Sequence, residues 1–392
     1  MTYEAMIVGG GVAGPVTAMA LRDAGIDATV YEAYPSDAAG VGSFLSLAVN
    51  GLDVLRALDL HTAVRERGFD TPRMVLRTAR GNRLAGFDLG ELPDGTRTQT
   101  VMREALYGTL RAEAVRRGIR VEHGKRLVHA ERTADGVRAR FADGTEARGD
   151  LLIGADGIRS VTRRLIDPTA PDAHYVPLLN TGGIARGVPV DGAPGEYQMI
   201  FGRRCFFGYV PHPDGSVWWF ANPPQPIELS RADLAAITPE QWRARLTTLV
   251  AGDAVAARLV EATADIAPPW NTYDFPTVPT WHRDRMIIIG DAAHAMSPSA
   301  GQGAAMAMED ALTLAHCLRE LPGIDAAFAG YERLRRARVE RAVAQGRRNG
   351  NGKVPGPVRL MLPLIFKLGI GGREDLTWLW NHHIEWTDSM IG

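Results

Sequence analysis

The opening of this chain fixes most of what it can fold into. Tyr3 to Val8 reads as a short buried strand, and Val12 to Ala24 reads as a helix ended by Gly25. The turn between them, Gly9-Gly10-Gly11-Val12-Ala13-Gly14, carries glycines where a dinucleotide fold needs them. Gly9 permits the tight turn, Gly11 lets the main chain approach a pyrophosphate, and Gly14 lets the helix pack on the strand. Unpaired amides of the first helical turn, Ala13 among them, face the phosphate charge. A second strand, Ala28 to Tyr31, ends in Glu32, a carboxylate placed to accept hydrogen bonds from an adenosine ribose.

Two later segments repeat the theme of an apolar strand ending in glycine and acid. Leu151-Leu152-Ile153 runs into Gly154-Ala155-Asp156-Gly157, and Met286-Ile287-Ile288-Ile289 runs into Gly290-Asp291. Ligands of α/β sheets gather at such strand tips. The last is followed by Pro298-Ser299-Ala300-Gly301-Gln302-Gly303-Ala304 entering a helix, whose free amides present a positive end. A fold that cradles a pyrophosphate at its N-terminus and returns with Asp291 near its far end holds something longer than a nucleotide. The extra length suits the ribityl chain and ring of FAD. A helix end on the pyrimidine edge would stabilise the negative charge that reduction places there.

Composition excludes other classes. With 44 Lys and Arg against 45 Asp and Glu, the net charge of −1 argues for neither nucleic acid nor an anionic membrane as partner. No segment keeps the ~18 apolar residues a membrane span needs; the nearest, Val358 to Ile370, contains Arg359, Pro363 and Lys367. Two cysteines, Cys205 and Cys317, are too few for a disulfide framework and suit a cytoplasmic location. The histidines are scattered without metal-ligand spacing.

Between the motifs the order of elements is interleaved. Helices are expected at Asn50 to Leu58, Arg103 to Arg117, Ala304 to Leu321 and Ile324 to Arg348. Strands are expected at Arg73 to Thr78, Arg83 to Phe87, Leu127 to Arg132, Val137 to Phe141 and Thr145 to Ala147. A second, antiparallel region spans about 175 to 270, with strands at Tyr197 to Phe201, Cys205 to Val210 and Val217 to Ala221. It is dense in Phe206, Phe207, Tyr209, Trp218, Trp219 and Phe220. Alternate residues of a strand face opposite sides, so one face can pack while the other lines a pocket. The arginines at 333, 335, 336, 338 and 341, interleaved with Glu332 and Glu340, read as a solvated, self-paired helix face.

On these motifs the chain resembles the single-component (group A) FAD-dependent aromatic hydroxylases, the para-hydroxybenzoate and salicylate hydroxylase-like monooxygenases, over about residues 3 to 345. The resemblance implies an α/β fold: a Rossmann-like FAD-binding domain with a parallel sheet and β-meander (1–72, 97–174 and 270–345). Interleaved with it is an α+β, antiparallel-sheet substrate domain (73–96 and 175–269), followed by a C-terminal helical segment (346–392). It implies FAD contacts at Gly9, Gly11, Ala13, Gly14 and Glu32, at Arg103 and the Leu127 backbone, at Asp156, which also serves the pyridine nucleotide, at Asp291, and at Pro298, Gly301, Gly303 and Ala304 beside the ring. Phe207, Tyr209, Trp218, Phe220 and His294 are candidate substrate contacts, although a lone His in a tight loop is more often structural. NADPH or NADH would reduce the flavin, and O2 would reach an electron-rich aromatic or polycyclic small molecule through a C4a-hydroperoxyflavin. No catalytic side chain is assigned because the cofactor carries the hard step. Neither the choice of nicotinamide nor an oligomeric state is specified by the sequence.

One departure is that Gly40-Val41-Gly42-Ser43-Phe44 lacks the arginine some members place beside the flavin. A simple NAD-dependent dehydrogenase would have no use for Asp291. An FAD-dependent oxidase or reductase would share every FAD contact. A halogenase would need a Trp-x-Trp-x-Ile-Pro signature that is absent, and a non-catalytic FAD sensor would have little use for an aromatic second domain.

Overall fold

A computed structural model describes residues 3–35, 43–350 and 377–387. The apolar run Val358 to Ile370, most of the C-terminal segment, and the Gly40 to Gly42 part of the arginine-lacking loop lie outside these residues. A six-stranded sheet runs in the order His282–Arg283, Met286–Ile288, Leu151–Gly154, Glu4–Val8, Asp27–Tyr31, Arg120–Glu122, parallel except at its first edge. Ile7, Val30, Ile153 and Ile287 fall in register and are wholly buried, as expected where helices cover both faces of a parallel sheet. A meander of Leu127–Arg132, Val137–Phe141 and Glu146–Gly149 stands beside it.

A seven-stranded sheet forms the second layer, ordered Trp270–Asp274, His174–Ala185, Val217–Asn222, Phe206–Pro211, Glu196–Phe201, Arg73–Thr78, Arg83–Asp88. The hairpin from 73 to 88 joins it through the parallel pairing of Arg73–Thr78 with Glu196–Phe201. The long strand His174–Ala185 is absent from the sequence expectations; it contains Pro177 and Gly182-Gly183, residue types unfavourable in a strand interior. The ladder with Trp270–Asp274 shifts register between Val176 and Leu179, around that proline, and the strand passes to its other neighbour, Val217–Asn222, at Thr181. Helices Pro239–Val250 and Ala254–Glu261 cover one face of this sheet. Its other face meets Phe44 and Met102, which belong to a separate three-stranded sheet of Phe44–Leu47, Gln99–Met102 and Gly68–Asp70.

The arginine-rich helix departs from expectation. Arg335 is 1% exposed, bonded to Glu309 at 2.5 Å and to Asp310 at 2.8 Å. The cause is the neighbouring helix Gly303–Glu320, which turns both carboxylates inward, so an arginine must follow them to keep the charges paired.

Candidate active site

The sheet ladder continues past the strands and sets the motifs side by side. Gly9 N–H donates to Tyr31 O, Ala155 N–H to Val8 O, and Ile289 N–H to Gly154 O, at 2.8, 2.8 and 3.0 Å. Gly9 has φ +114, and a Cβ there would stand 2.2 Å from Ala155 O; one on Gly14 would stand 1.9 Å from Gly9 O. A Cβ on Gly11 would meet nothing within 4 Å. That open space lies at the start of the helix Ala13–Asp23, whose first turn has neither an acidic residue nor a side-chain cap. Its amides are available to a phosphate.

Glu32 is more committed than its motif suggests. Its two carboxylate oxygens accept the N–H groups of Gly10 at 2.6 Å and Tyr34 at 2.9 Å, which fixes the glycine turn. Each oxygen keeps a second lone pair for a ribose hydroxyl. The Lys125 N–H donates to Glu32 O at 2.8 Å, and Leu127 opens its strand two residues further on. Asp156 spends its carboxylate on its own loop, accepting from Ser160 Oγ at 2.5 Å and from the Thr162 N–H at 3.0 Å. What it offers the cleft is the backbone of Ala155 and Asp156 against Gly9.

Asp291 stands where the tips converge. A Cβ on Gly290 would lie 3.5 Å from the Cβ of Ala13, and one on Gly303 would lie 4.0 Å from Asp291 Oδ1. The carboxyl opens to the cleft but is walled by protein elsewhere, and that burial raises it above the ordinary aspartate value against the opposing pull of His294 and Arg103. Arg103 also lies by the Tyr107 hydroxyl, and its Nε has no partner among the described residues. Arg163, which carries no motif, ties two tips together by donating to Ile158 O and Ala292 O, each at 2.9 Å.

The loop after Asp291 passes through the short turn Pro298–Ala300 to Gly301, at φ +62, and enters the helix Gly303–Glu320. That helix again lacks a side-chain cap and a first-turn acid, so Gly303 and Ala304 present free amides. His294 is not open to a substrate. It is 3% exposed, with Nε2 2.5 Å from Asp310 Oδ2, which also accepts the Gly290 N–H. The His294 ring therefore holds the Gly290-Asp291 turn, and it is withdrawn from the substrate contacts.

Strand alternation divides the aromatic candidates. Phe207 and Tyr209 point toward the covering helices, Phe207 stacked on Trp219 at 5.2 Å, and both belong to that core. They too are withdrawn, because the sequence does not reveal which strand face the helices cover. Trp218 and Phe220 share the opposite face with Tyr197 and Val210, where Phe44 reaches in with ring centroids 5.6 Å from Trp218 and 6.4 Å from Phe220. A Cβ on Gly182 would lie 3.6 Å from Ser43, which precedes Phe44. The aromatic face thus lies against the strand Phe44–Leu47, whose partner Gln99–Met102 runs into Arg103. Phe44 and Tyr197 are additions to the expected wall; Phe44 had been visible only as the residue after a glycine-rich stretch.

These residues fit a flavin dinucleotide. The orphaned Nε2 of Gln302, in a residue 2% exposed and lacking a partner for that atom among the described residues, sits at the helix entrance beside Gly303. Among the described residues no cluster of His, Cys, Asp and Glu could hold a metal, and no helix is long and apolar enough to cross a membrane.

A dinucleotide fold with a returning acid, combined with an aromatic sheet, defines a flavoprotein that acts on a ring-bearing substrate. Comparison with known proteins gives the family. The FAD binding domain family model matches residues 2–346, and the chain belongs to this family, that of the group A FAD-dependent aromatic hydroxylases. It is 32% identical over 358 residues to the FAD-dependent urate hydroxylase of Klebsiella pneumoniae (88% of this chain and 89% of that protein). It is 31% identical to the 3-amino-4-hydroxybenzoate 2-monooxygenase of Streptomyces cremeus (87% and 85%). The crystal structure of Klebsiella pneumoniae HpxO with FAD and uric acid superposes with a TM-score of 0.81 at 29% identity, covering 93% of this chain and 92% of that one.

Asp291→Ala is expected to lose most bound FAD while the far-ultraviolet circular dichroism of the chain stays unchanged, since among the described residues no hydrogen bond to the Asp291 carboxylate supports the fold. Retention of a full flavin absorbance would contradict its assignment.

Proposed function

We propose that the chain holds FAD across Gly9–Gly14, Asp291 and Gly303, and uses NADH or NADPH with O2 to oxygenate an electron-rich aromatic or polycyclic small molecule. The observation that carries this reading is the packing of the Trp218, Phe220 and Tyr197 face on Phe44 and Met102, whose ladder runs into Arg103, the arginine whose charge acts on Asp291. The urate and aminohydroxybenzoate enzymes among its relatives favour a planar, polar-substituted ring. Bound FAD would supply hydride uptake from the nicotinamide and activation of O2. The protein's own part is positional. Gly11 and the first turn of Ala13–Asp23 take the pyrophosphate, Glu32 the ribose, and Asp291 with Arg103 the region between adenosine and ring. The free amides at Gly303 and Ala304 counter negative charge at the ring edge. The aromatic face excludes water, which limits loss of reducing equivalents as hydrogen peroxide.

We assign residues 1–72, 97–174 and 270–345 to FAD binding and 73–96 with 175–269 to substrate binding, on the separation of the six-stranded from the seven-stranded sheet. A cytoplasmic location is in keeping with two free, buried cysteines.

The functional reading is tested by oxygen uptake and nicotinamide oxidation across phenols, purines and polycyclic rings. Consumption of both that depends on the ring compound, with an oxygenated product, is expected. Turnover without nicotinamide would indicate an oxidase, and FAD binding with no turnover a sensor.

The two strand faces are separated by a paired substitution. Phe220→Ala is expected to raise KM about tenfold, or ~1.4 kcal/mol, and to divert more nicotinamide to hydrogen peroxide, with little loss of stability. Phe207→Ala should instead cost roughly 3 kcal/mol of stability in a denaturant melt and leave KM unchanged. The reverse pattern would place the substrate on the other face.

A further inference from the structure

The loop that faces the ring is pinned at both ends by two consecutive carboxylates. Asp310 accepts from Gly290 N–H at 2.9 Å and holds His294 at 2.5 Å, which fixes the start of the loop. Glu309 accepts from Asn50 Nδ2 at 2.6 Å, and the same Nδ2 donates to Gln302 Oε1 at 3.0 Å, which fixes its end. Gln302 is therefore held by its oxygen, with its unpartnered Nε2 left over at the entrance to the helix.

Glu309 in turn is held from the C-terminal side. Arg338 donates to both its oxygens at 2.8 Å, and the same guanidinium donates to Trp378 O at 2.6 Å and Leu379 O at 3.0 Å. The segment 377–387 is docked at further points: Leu379 and Ile384 are buried, Arg319 lies over the Trp386 ring and bonds its carbonyl, and His383 pairs with Asp53 of the helix that carries Asn50. His382 comes within 4.0 Å of Glu309, but burial pushes its ring down to about 4, so near neutral pH it brings no charge. The cation linking segment to loop is Arg338.

We propose that Arg338 is a positioning residue for the flavin: gripped by the 377–387 segment, it fixes Glu309, Asn50 and the Gln302 amide in turn, so that docking of this segment sets how the ring edge is held. The inference rests on the FAD reading above. The link is a contiguous chain of hydrogen bonds, and its test is energetic coupling between the ends.

The experiment is FAD titration of the full-length protein, followed by flavin fluorescence and visible circular dichroism, with a thermal melt of each apoprotein. Arg338→Met keeps the apolar stem and removes the fork. It is expected to raise the FAD dissociation constant about tenfold, the loss of one hydrogen bond to a charged group, and to alter the flavin circular dichroism. Asn50→Ala should do the same, and the double variant should be no worse than either single one. Arg338→Lys should not rescue, because an ammonium cannot bridge two carbonyls and a carboxylate in one plane. Leu379→Asp, which undocks the segment while leaving Arg338 in place, should reproduce the effect and serves if Arg338→Met does not fold. A lower melting temperature with unchanged FAD affinity and flavin dichroism, or strictly additive effects, would overturn the proposal while leaving the FAD site intact. A wild-type chain that takes up no FAD would overturn both.

Discussion

Gly11→Ala is expected to yield a folded protein that has lost most of its affinity for FAD, whereas Gly14→Ala, three residues along, is expected to compromise the fold itself. The two glycines serve different partners. A methyl on Gly14 would stand 1.9 Å from the Gly9 carbonyl oxygen, a backbone atom that cannot yield without separating helix from strand. Such overpacking costs about 3 kcal/mol or more. A methyl on Gly11 meets no protein atom within 4 Å, so the apoprotein should tolerate it. The space it fills is the one the pyrophosphate would occupy at the helix end, and a rise in FAD dissociation constant on the order of 100-fold, near 3 kcal/mol, is expected. Thermal melts of the apoproteins beside FAD titrations check both. Equal destabilisation by the two substitutions would mean that Gly11 is a packing glycine.

Arg335→Leu is expected to be the most destabilising single change in the helix Ile324–Gly350. Removing one partner of a buried ion pair costs about 3–5 kcal/mol, and the lower end applies because Glu309 keeps Arg338 and Asp310 keeps His294. The effect should depend on pH in a defined sense. Burial alone would push the Glu309 carboxyl up, but Arg335 and Arg338 hold it down to about 2, and Asp310 is held low by His294 and Arg335 in the same way. A carboxylate whose folded pKa is depressed gives stability that is fully present above its ordinary value, 4.5 for Glu309, and is lost as pH falls toward about 2. In Arg335→Leu part of that charge stabilisation is already gone, and protonation relieves two carboxylates that have each lost one of their partners. Urea melts should therefore show the widest gap between wild type and variant near neutral pH, narrowing below 4.5. A gap that widened on acidification would contradict the ion-pair account.

The dinucleotide half of the fold was legible because its signals are local. A strand, a glycine turn and a helix follow one another, and each glycine answers to a steric demand that the structure displays at Gly9 and Gly14. Gly290-Asp291 was legible as another strand tip. The aromatic sheet was legible as strands but not as faces: Phe207 and Trp218 have equal claim to a pocket until helices Pro239–Val250 and Ala254–Glu261 are known to cover one side. The first of those helices begins with Thr238-Pro239-Glu240-Gln241, a capping box that sequence alone could have revealed. Arg335 misled because a run of arginines beside glutamates describes a solvated helix, and only the inward turn of Glu309 and Asp310 on a neighbouring helix draws it inside. His294 illustrates the same limit, since its proximity in sequence to Asp291 says nothing of the carboxylate sixteen residues later that claims its ring. Phe44 and Arg163 lay in no motif, and their roles arise from contacts between layers.

The central claim is that distant strand tips and one helix entrance converge on a single extended flavin. It is tested most directly by a crystal structure of the protein with FAD bound. The pyrophosphate is expected at Gly11 and the first turn of Ala13–Asp23, the ribityl chain beside Asp291, and the pyrimidine edge at Gly303, with the ring facing Phe220. A chain that crystallises without flavin from saturating FAD, or a flavin whose ring lies away from Gly303, would contradict it.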